Sequence, residues 1–234
     1  MNTGLAEMDT LYAQILIPLD GSQCSEKALQ VGLALAAQLE AEVRLLYVLD
    51  RDISAEPGPA ELMAALNLVR EAARTRGQGI LDGAVEQAHR LGVEVKTRLE
   101  SGWPEQVILE QAKDCDLVVM GTHGRGGLER WIMGSVAQTV IAQSSKPVLV
   151  VHERYNLPPS IKARPFQRLL IATDGSTSGD WAVQHGARLA KSLGAEVTLL
   201  HVADPPLYYL QPERPWHEAL GLLEQEAHGR GQMV

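Results

Sequence analysis

A doubly wound parallel α/β sandwich, followed by a partial second copy of itself, is the fold this 234-residue chain predicts. Three observations carry it. Short apolar runs of strand length alternate with stretches of helical periodicity over residues 14 to 152, and each crossover is long enough for a parallel return. One of those runs, Leu117-Val118-Val119-Met120, feeds directly into a glycine-spaced segment, Gly121 to Val136 (GTHGRGGLERWIMGSV). Residues 16 to 50 then match residues 170 to 204 without a gap, at 18 of 35 positions, so the chain contains a duplication.

Taken in order, Ile15 to Leu19 (ILIPL) reads as a buried strand that ends in the turn residues Asp20-Gly21-Ser22. Ser22 and Ser25 are candidate caps for a helix reaching Gln38, along which Ala28, Leu29, Val31, Leu35, Ala36 and Leu39 recur at helical spacing. Val43 to Leu49 (VRLLYVL) is a second strand, apolar nearly throughout, as a parallel strand covered on both faces requires. A helical pattern runs from about Ala60 to Leu91, and the glycines at 77, 79 and 83 leave two readings open there, a bend or close packing. Val93 to Leu99 alternates as a third strand, and Pro104 suits the first turn of a third helix. Asp116 to Met120 is the fourth strand, with Asp114 and Asp116 expected to be solvated at its start. Ser135 to Gln143 is the next helix and Lys146 to Val151 the fifth strand.

The domains read as residues 1–152, a proline-bearing linker over 153–166, and a second copy over 167–234. In that copy LIPLDGS becomes LIATDGS and AEVRLLYVLD becomes AEVTLLHVAD, while Pro18 gives way to Ala172 and Tyr47 to His201. Strand, helix and strand (Leu169 to Val202) are followed by a helical tail from about Trp216, and no second glycine segment appears. A partial parallel sheet leaves unpaired edges and apolar surface, so the second copy is expected to dock on the first or on another chain. The tail aromatics Tyr208, Tyr209 and Trp216 are expected to cover its core.

Composition narrows the function. Twenty-nine acidic against 21 basic residues give a formal net charge of −8, which argues against nucleic acid as a partner. No apolar run is long enough to cross a membrane and no basic leader precedes an apolar one, so a cytoplasmic protein is expected. Cys24 and Cys115 lack metal-ligand spacing and read as reduced, buried thiols. A strand running into glycines and then a helix start is a phosphate-cradle arrangement. Glycine admits close approach or positive φ, and the helix N-terminus presents free N–H groups. In a doubly wound sheet, ligands sit beyond the carboxyl ends of the strands, where Asp20, Val48 and Gly121 lie.

The spacing Gly121-x2-Gly124-x9-Gly134-Ser135, preceded by a strand and combined with a first strand ending in Asp-Gly-Ser, resembles the signature of the universal stress protein family in tandem form. The resemblance implies an adenine nucleotide alpha hydrolase-like sandwich that holds ATP, with any Mg²⁺ held by the phosphates. Carried over, Asp20 beside Pro18 accepts hydrogen bonds near adenine or ribose, and backbone groups of Val48 and Met120 flank the base. Gly121 and Gly124 line the approach to ribose and phosphates. Gly134, Ser135 and Val136 offer amides and a hydroxyl to the β and γ phosphates. Arg125 is a candidate phosphate contact and His123 a weaker one. The resemblance also implies pairing of the fifth strand, Pro147 to Val151, with its twin in a homodimer.

The function expected on these grounds is an ATP-binding stress-response regulator or sensor with slow or no hydrolysis, since no Walker sequence occurs and no catalytic constellation is assembled. Two alternatives compete. A nucleotide-free interaction module describes the second copy better than the first. An adenylyl-transfer or ATP pyrophosphatase enzyme of similar fold carries a Ser-Gly-Gly-rich loop after its first strand, which PLDGSQCS matches poorly.

Overall fold

The computed structural model describes residues 11–50, 60–124, 133–155 and 166–201. The chain divides into two compact units, Met1–Pro165 and Phe166–Val234.

The first unit runs β1 (Gln14–Leu19), α1 (Gln23–Leu39), β2 (Glu42–Asp50), α2 (Ala60–Leu91), β3 (Val95–Gly102), α3 (Pro104–Ala112), β4 (Leu117–Gly121), α4 (Ser135–Gln143) and β5 (Val148–Val151). All five strands are parallel, in the order β3-β2-β1-β4-β5. The chain therefore winds outward from β1 in one direction and, from β4, in the other. That reversal opens a crevice beyond the carboxyl ends of β1 and β4.

Alternation of side chains across the pleat divides the core into two layers. Ile17 of β1 and Val119 of β4 meet α1 at Gly32, where an added Cβ would lie 2.4 Å from the Ile17 side chain. Tyr47 of β2 faces the same way and meets α2 at Gly77, with an added Cβ 2.7 Å from its ring. Gly77 thus serves close packing rather than a bend: α2 is one continuous helix, and Gly79 and Gly83 face open space. On the opposite face Leu16, Leu46, Val118 and Met120 pack with Ile108 and Ala112 of α3 and with Ala137 and Val140 of α4.

Local chemistry sets the ends of these elements. Ser22 caps α1, its hydroxyl accepting from the Ser25 amide at 3.1 Å, so Ser25 lies inside the helix rather than acting as a second cap. The expectation of solvated aspartates also needs correction at Asp116. Its Oδ2 accepts from the amides of Ala13 and Gln14, both at 2.9 Å, and its own amide donates to the Gln14 carbonyl at 2.8 Å. One carboxylate therefore fastens the start of β4 to the start of β1, satisfying donors that the strand ladder leaves over. Asp116→Ala is expected to cost ~1–3 kcal/mol in urea unfolding, and Asp116→Asn less because it keeps an acceptor. Both cysteines are buried and free. Burial pushes the Cys115 thiol above its ordinary range, so its reaction with a thiol reagent is expected to be much slower in the folded than in the unfolded protein.

In the second unit, β6 (Arg168–Thr173), α5 (Thr177–Leu193) and β7 (Glu196–His201) repeat the opening of the first. The two strands pair in parallel, with Leu169 opposite Val197 and Thr173 opposite His201. Ser176 caps α5, and Gly186 meets Ile171 as Gly32 meets Ile17. Among the described residues this sheet has two strands, and Leu170, Val197, Leu199, Leu200 and Trp181 are exposed. That agrees with the expectation of uncovered apolar surface. Asp174 repeats the turn made by Asp20: each Oδ1 accepts from the amide two residues on, Ser176 and Ser22 respectively, at 2.9 Å. The hydrogen bonds from Ser176 hold the exposed Asp174 carboxyl below its usual range. A depressed folded-state value means that the turn's contribution is present above the unfolded carboxylate range and fades as the pH falls through the folded one. The tail aromatics and the expected helix from Trp216 lie outside the described residues.

Candidate functional site

A cavity of about 480 Å³ lies at the carboxyl ends of β1, β2 and β4, on the face covered by α3 and α4. Its volume falls within the roughly 300–1,000 Å³ typical of small-molecule sites. The pleat explains why these three strands build it. Each reads apolar, apolar, polar at alternate positions toward its end: Leu16-Pro18-Asp20, Leu46-Val48-Asp50 and Val118-Met120-Thr122. Side chains two apart share a face, so the apolar pairs make a floor and the polar groups a rim.

Nine of the ten candidate residues line this cavity. Pro18 and Asp20 come from the end of β1, Val48 from β2, and Met120 and Gly121 from β4. Gly124 follows β4, while Gly134, Ser135 and Val136 form the cap and first turn of α4. Arg125 lies outside the described residues. Leu46, Asp50, Pro104, Ile108 and Thr122 also line the cavity and were not singled out from the sequence. The period-2 pattern about Val48 carried a signal for Leu46 and Asp50. Nothing local marks Pro104 and Ile108, which arrive because α3 crosses this face.

The glycines act through space rather than through positive φ, which corrects one of the two roles anticipated for them. Among the described residues, glycines of positive φ are Gly21, Gly92, Gly175 and Gly194. A Cβ at Gly121 would meet Cys24 on α1 at 2.7 Å, and one at Gly124 would meet Asp20 Oδ2 at 2.8 Å. Gly134, at φ −64° and ψ 151°, caps α4 without a side-chain hydrogen bond, and its amide donates to the Thr122 carbonyl at 2.9 Å. Gly134, Ser135 and Val136 line the cavity, so the positive end of the helix borders it.

Thr122 and His123 tie the surrounding elements together. The Thr122 amide donates to the Val151 carbonyl at 3.0 Å, joining the loop to the end of β5. The Ser22 hydroxyl donates to the His123 carbonyl at 3.4 Å. The His123 ring is held through Nδ1 and Thr122 Oγ1 at 2.9 Å and stands edge-on to His152 at 6.3 Å. Its Nε2 is buried with no hydrogen-bond partner among the described residues.

Taken together, these features define a parallel α/β sandwich with a preformed cavity at its switch point, floored by apolar strand residues and closed at one side by a helix N-terminus that has no side-chain cap. Comparison with known proteins then sets the family. The model of the universal stress protein family matches residues 11–152 and 165–232, and the chain belongs to that family, in tandem form. It is 39% identical over 154 residues to universal stress protein MJ0531 of Methanocaldococcus jannaschii, covering 64% of this chain and 88% of that one. It is 32% identical over 160 residues to universal stress protein MJ0577 of the same organism, covering 63% and 99%. A solved structure of MJ0577 superposes with a TM-score of 0.52 at 30% identity, covering 62% of this chain and 99% of that chain. A universal stress protein from Archaeoglobus fulgidus, at 19% identity, shares the fold over 94% of this chain and 74% of its own, with a TM-score of 0.62. No helix among the described residues is long and apolar enough to cross a membrane.

Proposed function

We propose that the first unit binds one ATP and that the protein is a stress-response regulator or sensor with slow or no hydrolysis. The observation that carries this reading is the cavity itself: an apolar floor, with the start of α4, which has no side-chain cap, at one side. A nucleotide has the same polarity, an apolar base at one end and phosphates at the other. On this reading the base lies between Val48 and Met120 and is covered by Ile108. Asp20 accepts from base or ribose, Gly121 and Gly124 let ribose and phosphates approach, and the amides of Ser135 and Val136 meet the phosphates with the Ser135 hydroxyl, while Gly134, its own amide held by the Thr122 carbonyl, leaves room for them. Any Mg²⁺ is held chiefly by the phosphates, and Arg125 is a further phosphate contact. Calorimetry with ATP is expected to give a micromolar dissociation constant and a stoichiometry of one per chain. No heat and no copurifying nucleotide would refute the reading. A stoichiometry of two would refute the assignment of a single site.

The same reading places the protein in the cytoplasm as a homodimer joined along β5. In support, β5 ends the sheet with β4 as its neighbour, and its Val148, Leu149 and Val150 stay only half-buried. A strand edge of that kind invites pairing with a twin. Leu149→Arg is expected to shift the protein from dimer to monomer in sedimentation at tens of micromolar while ATP affinity persists. A wild type that sediments as a monomer would refute the dimer.

A further inference from the structure

We propose that Asp50, at the outer end of β2, is the acceptor for the sugar hydroxyls of the bound nucleotide and makes the site selective for ribose over deoxyribose. The inference rests on the nucleotide reading and deepens it. Leu46, Val48 and Asp50 occupy alternate positions of one strand and all line the cavity. The pleat therefore carries the lining outward from two apolar side chains to a carboxylate. Registry fixes its level. Pro18 stands opposite Leu46, which sets Asp20 opposite Val48 and puts Asp50 one pleat repeat, about 7 Å, farther out.

Laterally, Asp50 lies on the side of β1 away from β4 and the start of α4. The cavity thus has the amide end of α4 at one side and the Asp50 carboxylate, two strands away from β4, toward the other. Phosphates are repelled from the Asp50 end, so what reaches it must donate hydrogen bonds. Asp50 is exposed, hence at the mouth rather than on the apolar floor that suits a base. An ionised carboxylate is an acceptor with two oxygens, matched to a pair of vicinal hydroxyls.

The test is a comparison of ATP, 2′-deoxy-ATP and inosine triphosphate on the full chain, for wild type and Asp50→Ala, with thermal melts as a folding control. Wild type is expected to bind ATP about tenfold more tightly than its 2′-deoxy analogue, near the low end for one hydrogen bond to a charged group. Asp50→Ala is expected to bring that ratio to about one and leave the ratio of ATP to inosine triphosphate unchanged. A variant that keeps the ribose preference overturns the inference while leaving nucleotide binding intact. So does one in which the inosine ratio changes instead, because Asp50 would then be reading the base. Wild-type protein that binds none of the three overturns the nucleotide reading and this inference with it.

Discussion

Gly121→Val is expected to be the most damaging single substitution in the first unit. A Cβ at that position would stand 2.7 Å from Cys24 Cβ, 2.8 Å from its carbonyl carbon and 2.9 Å from its carbonyl oxygen. Two of those atoms are backbone of α1, so no rotamer change relieves the contact, and α1 must move off the end of β4. Overpacking of a close-packed core costs typically 1–3 kcal/mol and occasionally more, and a branched side chain against backbone belongs at the upper end. For a chain of this size, ~3 kcal/mol lowers the melting temperature by about 6–12 °C. Gly121→Ala is expected to show a smaller shift in the same direction. A melting temperature unchanged in both variants would mean that α1 and β4 do not approach as closely as described.

Gly134→Asp is expected to separate binding from stability. The position caps α4 without a side-chain hydrogen bond, and an added Cβ would sit 3.4 Å from the Thr122 carbonyl oxygen, an ordinary contact. Aspartate is a strong N-cap, and its charge suits the positive end of the helix, so the fold is expected to be retained within about 1 kcal/mol. The same carboxylate occupies the amides proposed for the phosphates and repels them. ATP affinity is expected to fall at least about a hundredfold, roughly 3 kcal/mol. Undiminished affinity in a folded variant would remove α4 from the binding site. Loss of both affinity and fold would show that Gly134 is needed for packing, and Ser135→Pro, which deletes one amide at a position where proline suits a helix, then isolates the binding role.

Periodicity and glycine spacing made most of the fold, and most of the lining of the candidate site, legible in advance. The five strands fall within two or three residues of their expected ends, and α4 and α2 match at both ends. Strand ends were the least legible part: β3 runs to Gly102 because it pairs in register with β2 as far as Asp50, and pairing is a property of two segments rather than one. Asp116 was misread for a related reason. Its partners, Ala13 and Gln14, lie about a hundred residues away, and only the meeting of β1 and β4 turns a polar residue at a strand start into a clamp. Gly77 belongs to the same group, since a glycine in a helix says nothing local about the aromatic ring that will press on it.

What the sequence alone determined was the order of strands and helices, the duplication, the glycine segment and the end of each strand on which a ligand would be sought. These are encoded in period 2, period 3.6 and turn chemistry, all of which act within a few residues. Tertiary structure decided which surfaces face one another. It brought Ile108 and Pro104 of α3 over the cavity and set Asp50 a pleat beyond Asp20. It also showed that a side chain at Gly121 would run into the backbone of Cys24, and that one at Gly124 would displace the Asp20 carboxylate. Such contacts arise from packing between segments distant in the chain, and packing is decided by volume and shape across the whole layer, which no local pattern records.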